Sequence, residues 1–246
     1  MPAGSVLEVC SWAGCYPQII QMFVSVITPA FNAASTLARA YRSLCLQEGT
    51  PWEHIIINDG SADTTRAVAE SLAAADARVS VINSPNQGPA AAHNLGLARA
   101  TGSFMAFLDA DDEYLPGHLS KRLQFFEDHP NTDILWGGLE VVADRDEDAY
   151  VPDVEKGHGL IHASECMAQG TLMFRRAVIE QFRFNEDRSI WSFDYEFMQR
   201  ATQVFTVRRF PEITYRYYRN TGVSMIDRAK VLTPAQTSRA ARAAHP

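Results

Sequence analysis

Three aspartates within four positions, Asp109, Asp111 and Asp112, follow the apolar run Phe104 to Leu108 in the stretch FMAFLDADDEY, with no lysine or arginine beside them in the chain. Carboxylates this close repel one another and cannot hold a phosphate unaided, whereas a divalent cation between them reverses the local sign. Mg2+ and Mn2+ take hard oxygen ligands and commonly bridge one or two carboxylates to a diphosphate. The cluster therefore reads as a metal and diphosphate site. If the period of a strand continues through the motif, Asp109 and Asp111 lie on one side and address the same ion. The rival reading is a solvated acidic loop in which Asp112 and Glu113 favour the start of a following helix. A calcium loop does not fit, because the sixth position counted from Asp109 is Tyr114, where such loops require glycine.

Other elements must place this cluster. Val24 to Ile27 (VSVI) reads as a strand stopped by Pro29, and from Ser35 the residues Leu37, Ala40, Tyr41 and Leu44 recur at helical spacing behind the capping side chains Ser35 and Thr36. His54 to Ile57 (HIII) has the uniformly apolar character of a parallel strand covered on both faces, and the turn NDGSAD follows it. A helix from about Asp63 through Leu72, a strand at Val79 to Ile82, and a helix opened by Pro89 precede FMAFL. Pro116 opens a further helix carrying Leu119, Leu123 and Phe126, and weaker strands are expected near Ile134 and Val141. Residues 144–158 (DRDEDAYVPDVEKGH) read as an exposed acidic loop; strand GTLMF, helices RRAVIEQF and SFDYEFMQRA, and strand ITYRYY complete the chain. Strands alternating with helices predict an α/β fold of three layers around a mostly parallel sheet, whose ligands sit beyond the carboxyl ends of the strands.

Composition agrees with one main domain. Of 246 residues, 46% are hydrophobic and 21% charged, and the formal charge of −7 offers nucleic acid no general attraction, although Arg228, Lys230, Arg239 and Arg242 make the end locally basic. Four cysteines, Cys10, Cys15, Cys45 and Cys166, have neither zinc-ligand spacing nor the density of a disulfide scaffold, which suits a reducing cytoplasm. Neither a membrane span nor a secretory leader is expected, since no apolar run approaches about 20 residues and the first basic residue is Arg39. A dinucleotide or P-loop site is also excluded at the first strand, because no glycine occurs between Gly14 and Gly49.

VSVITPAFN, then IIINDGSADTT, then NQGPAAAHNLGLARATGSFMAFLDADDEYLP, and further on GTLMFRRAVIEQFRFNED with WSFDYEFMQRA, together resemble the family-two inverting glycosyltransferases of the GT-A fold, over about Phe23 to Ser224. The resemblance implies a Rossmann-like GT-A domain over residues 23–226, with a nucleotide-sugar-binding half (23–115) and an acceptor-side half (116–226), an extension at 1–22 and a tail at 227–246. It also implies transfer of a sugar from a nucleoside diphosphate sugar, a uridine diphosphate sugar first, to a saccharide, lipid-linked or small-molecule hydroxyl. Pro29, Phe31 and Asp59 match positions that enclose the base, Asp109 and Asp111 match the family's D-x-D on metal and diphosphate, and Asp112 matches a further carboxylate at the Mn2+ or Mg2+ ion. Asp194 falls where the family places its general base.

The same resemblance leaves room for peripheral association with the inner face of a membrane. Tyr215, Arg216 and Arg219 lie near a region that in relatives approaches the diphosphate, though arginines on strand surfaces are common, and Trp191 is a weaker candidate for the acceptor pocket. The chain departs from the family pattern at Asn58, where many relatives carry Asp, at His93, where many carry Arg, and at Phe193, where an acidic residue is usual. His93 in a helix is expected to be neutral near pH 7. Each site residue has a structural rival: Asp59 as the cap of its own turn, Pro29 and Phe31 as strand-end packing, and Asp194 as an acid in a first helical turn behind Ser192. The competing functions are a catalytically silent nucleotide-sugar-binding module and a metal-dependent nucleotidyltransferase or phosphatase. The last two would call for a glycine-rich first loop or an early D-x-D nucleophile.

Overall fold

The computed structural model describes residues 22–190 and 192–219. Expectations placed on residues 1–21, on Trp191 and on the basic stretch from Arg228 to Arg242 lie outside them. Strands β1 (Val24–Ala30), β2 (Trp52–Asp59), β3 (Val79–Ser84) and β4 (Phe104–Phe107) alternate with helices α1 (Leu37–Cys45), α2 (Thr65–Ala75) and α3 (Pro89–Arg99). They then give way to β5 (Glu113–Tyr114), α4 (His118–Asp128), β6 (Ile134–Trp136), β7 (Leu139–Val142), β8 (Tyr150–Pro152) and β9 (Leu160–His162). The described chain ends through β10 (Met173–Arg175), α5 (Arg176–Gln181), α6 (Phe193–Ala201), β11 (Val207–Arg209) and β12 (Tyr215–Tyr218).

The main sheet runs β11-β6-β10-β4-β1-β2-β3. Neighbours are parallel throughout β4-β1-β2-β3 and at β11-β6, while β10 is antiparallel to both β4 and β6. Its strands read as uniform apolar runs because each residue feeds a different covered face. Ile27, Ile55, Ile57, Met105 and Phe107 pack with α3, α5 and α6, whereas Val26, Phe104 and Ala106 pack with α1 and α4, and Ile56 packs with α1 and α2. This is the three-layer, mostly parallel α/β architecture that the alternation of patterns predicts. Gly96 permits a close approach of helix to sheet: a Cβ there would lie 2.5 Å from Ile27 and 2.9 Å from Ile57, so only glycine lets α3 settle on β1 and β2.

The second half differs from the sequence expectation in several places. Only Met173 to Arg175 of the GTLMF region forms a strand, because Gln169–Thr171 is a tight 3-10 turn. ITYRYY yields β12, which joins a separate sheet in the order β5-β12-β7. The helix placed at Pro116 starts at His118, after Gly117 in the left-handed conformation at φ 78°. Residues 144–158 are not simply an exposed acidic loop: β8 pairs antiparallel with β9, and Asp148 and Asp153 are buried. Arg145 Nε donates to Asp148 at 2.9 Å, and the backbone N–H of Lys156 donates to Asp153 at 2.9 Å.

Arg122 of α4 ties this half together. It is fully buried, and its guanidinium donates to the carbonyls of Thr171 (2.8 Å) and Gly137 and lies 4.8 Å from the ring of Phe210. Burial lowers its pKa to about 10, which leaves it charged at neutral pH.

Candidate active site

Parallel register brings the ends of β1, β2 and β4 to one edge of the sheet, with Ala30 opposite Asn58 and Ile27 opposite Phe107. The loops that leave β1 and β2 are laced together there. Asn32, at φ 52°, accepts the N–H of Ala62 at 2.8 Å through Oδ1 and donates its own N–H to Ser61 Oγ at 3.0 Å, while Ala33 N–H donates to Thr65 Oγ1 at 2.7 Å. Asparagine tolerates the left-handed backbone better than larger residues. Pro29 and Phe31 stand at this edge, both half-buried. A cleft of about 430 Å³ lined by Trp52, Arg78, Arg99 and Thr101 lies at the opposite ends of the strands, where Glu53 is occupied by Ser25 and Thr101.

Asp59 ends β2 and is buried. Its carboxylate does not cap the NDGS turn. Instead Oδ1 accepts the N–H of Gln87 at 2.9 Å and Oδ2 that of Gly88 at 3.0 Å, so the side chain closes the loop between β3 and α3. Asn58 takes the turn-capping part, accepting Ser61 N–H at 3.3 Å, and donates from Nδ2 to Asn83 at 2.9 Å, a bond that an aspartate in its place would not make.

The three aspartates do not continue the strand. β4 stops at Phe107, and the backbone N–H of Asp112 donates to the carbonyl of Asp109 at 3.1 Å, making a turn in which alternation no longer decides which way a side chain points. Burial and then the charges of Asp111 and Asp194 push the carboxyl of half-buried Asp109 up to about 7. Burial, then Asp111 and Asp109, raise fully buried Asp112 well above the carboxylate range. Hydrogen bonds oppose that rise: Tyr218 N–H donates to Asp112 Oδ1 at 2.8 Å and the Tyr215 hydroxyl to Oδ2 at 2.7 Å.

The cation missing from the local sequence comes from α1. Arg39 donates to the backbone carbonyl of Asp111, and its guanidinium lies 3.8 Å from the ring of Tyr218. Sequence reasoning did not find Arg39, which sits inside a helix with nothing in its spacing to connect it to an aspartate 72 positions on. Arg216 is engaged elsewhere, with Nε on Glu140 at 2.6 Å. Arg219 donates from Nε to the carbonyl of Asp148 at 2.9 Å.

Asp194 occupies the first turn of α6, whose residues Phe193, Phe197 and Ala201 are buried. Its carboxylate lies off that stripe, half-buried, and within the electrostatic reach of Asp109. Burial raises its pKa against the backbone N–H of Tyr195, which donates to Oδ1 at 2.9 Å. The Ser192 hydroxyl does not cap the helix; it donates to Asp194 Oδ1 at 3.4 Å. The departures at positions 93 and 193 meet, with ring centroids 5.5 Å apart. His93 also packs on Phe107 and Phe184, donates from Nδ1–H to the Pro89 carbonyl at 2.7 Å, and is held neutral by burial, its pKa lowered to about 3.

Among the described residues no three or more His, Cys, Asp or Glu side chains converge into a ready-made metal cage. The donor set nevertheless suits a hard cation. It is all oxygen, it carries mutual repulsion that a cation would relieve, and Mg2+ or Mn2+ needs only one or two carboxylates when a diphosphate and water complete its shell. The site thus combines a turn of crowded aspartates with a separate carboxylate on the facing helix, a pairing suited to leaving-group stabilisation and proton removal.

The model of glycosyl transferase family 2 matches residues 25–191. TuaG of Bacillus subtilis (strain 168) is 40% identical over 103 residues, 42% of this chain and 41% of that protein. The GalNAc(5)-diNAcBac-PP-undecaprenol beta-1,3-glucosyltransferase of Campylobacter jejuni is 28% identical over 237 residues, 85% of this chain and 74% of that protein. Among solved structures, S. aureus TarS 1-349 in complex with UDP superposes with a TM-score of 0.64 at 21% identity, covering 80% of this chain and 60% of that one. Mannosyltransferase PcManGT from Pyrobaculum calidifontis, in complex with GDP-Man and Mn2+, gives 0.61 at 18%, covering 78% and 56%. The chain therefore spans less than half the length of TuaG and about 60% of the TarS fragment.

Proposed function

Because the chain belongs to glycosyl transferase family 2 and is a glycosyltransferase, we propose that it transfers a sugar, with inversion and with Mn2+ or Mg2+, from a uridine diphosphate sugar to an acceptor hydroxyl. The observation that carries the reading is the turn that crowds Asp109, Asp111 and Asp112 after β4, closed by the Asp112 N–H on the Asp109 carbonyl at 3.1 Å, with Asp194 in the first turn of α6 adding to the upward shift of Asp109. TarS binds UDP and UDP-GlcNAc and PcManGT binds GDP-Man with Mn2+, which supports a nucleoside diphosphate sugar as donor. The undecaprenol-linked substrate in the name of the Campylobacter relative supports a saccharide acceptor, lipid-linked ones included.

Inversion requires the acceptor oxygen to attack the anomeric carbon from the side opposite the departing diphosphate. Asp194 takes the proton of that hydroxyl; its upward shift from burial brings its basicity nearer to the working pH. Asp109 and Asp111 orient the diphosphate end, with Asp111 and Asp112 as the ligands of a divalent ion. Such an ion, when bound, neutralises the charge that develops on the leaving group. Pro29, Phe31 and Asp59 line the place of the base. Because both oxygens of Asp59 already accept backbone N–H groups, any ring N–H it receives from the base meets a remaining lone pair of a fixed carboxylate.

A thermal-shift screen of UDP and GDP sugars, with Mn2+, Mg2+ or chelator, followed by product detection with saccharide acceptors, tests the reading. Metal-dependent stabilisation by a UDP sugar and formation of product with inverted anomeric configuration are expected. Stabilisation that is equal in chelator removes the metal, and binding without turnover across the acceptors leaves a nucleotide-sugar-binding module.

A further inference from the structure

Resting on that functional reading, we infer that Tyr215 is a positioning residue: its hydroxyl fixes Asp112 for the metal, and its ring is seated for that task by the close approach of the backbone at Gly170. Tyr215 is fully buried at the start of β12. Its hydroxyl donates to Asp112 Oδ2 at 2.7 Å, and the same oxygen accepts the backbone N–H of Asp109 at 3.3 Å. With Tyr218 N–H on Oδ1, strand β12 holds both oxygens of Asp112 and so fixes the plane of the carboxylate, while each oxygen keeps a further lone pair for a cation. A hydrogen bond to a charged acceptor is stronger than a neutral one, and partners of metal ligands commonly set the ligand's orientation and basicity.

The far side of the same hydroxyl faces the turn at 169–171. A Cβ on Gly170 would lie 2.0 Å from the Tyr215 oxygen and 2.5 Å from its Cζ, so the backbone of this turn rests on the phenol. Metal carboxylate, phenol and turn are thus consecutive contacts across elements that lie far apart in the chain. Tyr114 supplies an internal control. It is equally buried, its ring centroid is 5.9 Å from that of Tyr215, and its hydroxyl donates at 2.6 Å to the carbonyl of Phe107, touching no aspartate side chain.

The test is calorimetric titration of Mn2+ into the full chain with UDP present, for wild type, Tyr215→Phe, Tyr114→Phe and Gly170→Ala. Tyr215→Phe keeps the ring and is expected to weaken Mn2+ binding by about 10–100-fold, the usual effect of losing a ligand's partner, while Tyr114→Phe stays within about twofold of wild type. Gly170→Ala, which must displace the phenol, should likewise weaken Mn2+ binding. Unchanged Mn2+ affinity in Tyr215→Phe, or equal losses in the two Tyr→Phe variants, overturns the inference. Mn2+ binding absent from the wild type instead removes the metal from the functional reading and this inference with it.

Discussion

Asp59, at the end of β2, and Asp112, in the turn after β4, lie at the same edge of the sheet and are both buried, yet they are held in opposite ways. The oxygens of Asp59 meet two backbone N–H groups of one short loop, so its charge is locally satisfied and the loop is closed. Asp112 is reached by donors 103 and 106 positions away and shares its turn with two more carboxylates that raise its pKa. The first arrangement is complete within the protein. The second keeps a surplus of negative charge, which is what a cation-dependent site needs.

The surest way to break this contrast is at the carboxylate that faces the crowded turn. Asp194→Asn preserves shape and hydrogen-bond acceptance but cannot take a proton, so the transfer rate should fall by about 10²–10⁴-fold, while donor binding and melting temperature barely change. Near-normal turnover with a verified acceptor would reduce Asp194 to a role at the start of α6. The next largest effect falls on ligand-linked stability. With UDP and Mn2+ at about 100 times the dissociation constant, binding should stabilise the wild type by about 2.7 kcal/mol. Asp111→Asn should abolish most of this, measured as the shift in melting temperature against the same protein in chelator. A full shift in the variant would exclude Asp111 from the metal.

Legibility follows the same divide. The half from β1 to β4 was readable because each strand is an apolar run and each helix follows within a few residues, so local pattern carries the fold. The motif after β4 was readable by residue type, and Asp194 by resemblance. What holds the motif was not. Arg39, Tyr218 and the 169–171 turn reach the aspartates only through tertiary packing, and no periodicity in α1 marks Arg39 as different from any other polar helix residue. The acidic stretch at 144–158 misled for a related reason: Asp148 and Asp153 are buried because Arg145 and Lys156 beside them satisfy their charge, which composition does not reveal. His93 and Phe193 looked like two independent departures from the family pattern; in the fold they are one aromatic contact.

Asp59→Ala sharpens the other side of the comparison. It leaves the N–H groups of Gln87 and Gly88 without their acceptor in a buried loop, a loss of about 1–3 kcal/mol for each group left unsatisfied and less where water replaces the carboxylate. Denaturant unfolding in the absence of ligand should show this loss as a lower midpoint. An Asp59→Ala variant as stable as wild type would mean that the loop is closed by other contacts, Asn86 Nδ2 on the Asp59 carbonyl among them.

The smallest effect is a slope in pH, small because buried groups pull in opposite directions. His54 and His93 are kept neutral by burial, lowered to about 3, so the unfolded chain takes up their protons first and stability falls as pH drops below the ordinary histidine range. Asp109 acts the other way. Its folded pKa of about 7 exceeds the unfolded value of about 3.9. The folded state therefore holds that proton more tightly. Its stabilising effect is complete below the unfolded pKa and is lost as pH rises through about 7. Comparing Asp109→Asn with wild type in chelator cancels the histidines, which both proteins share. Between about pH 4 and 7 the variant should gain stability relative to wild type as pH rises, because it lacks the carboxylate that must ionise among its neighbours. Saturating Mn2+ with UDP should shrink that gain by favouring the ionised cluster in the wild type alone. Parallel curves in chelator would mean that the crowded turn carries no more strain than Asp59 does, and the contrast between the two regions would fail.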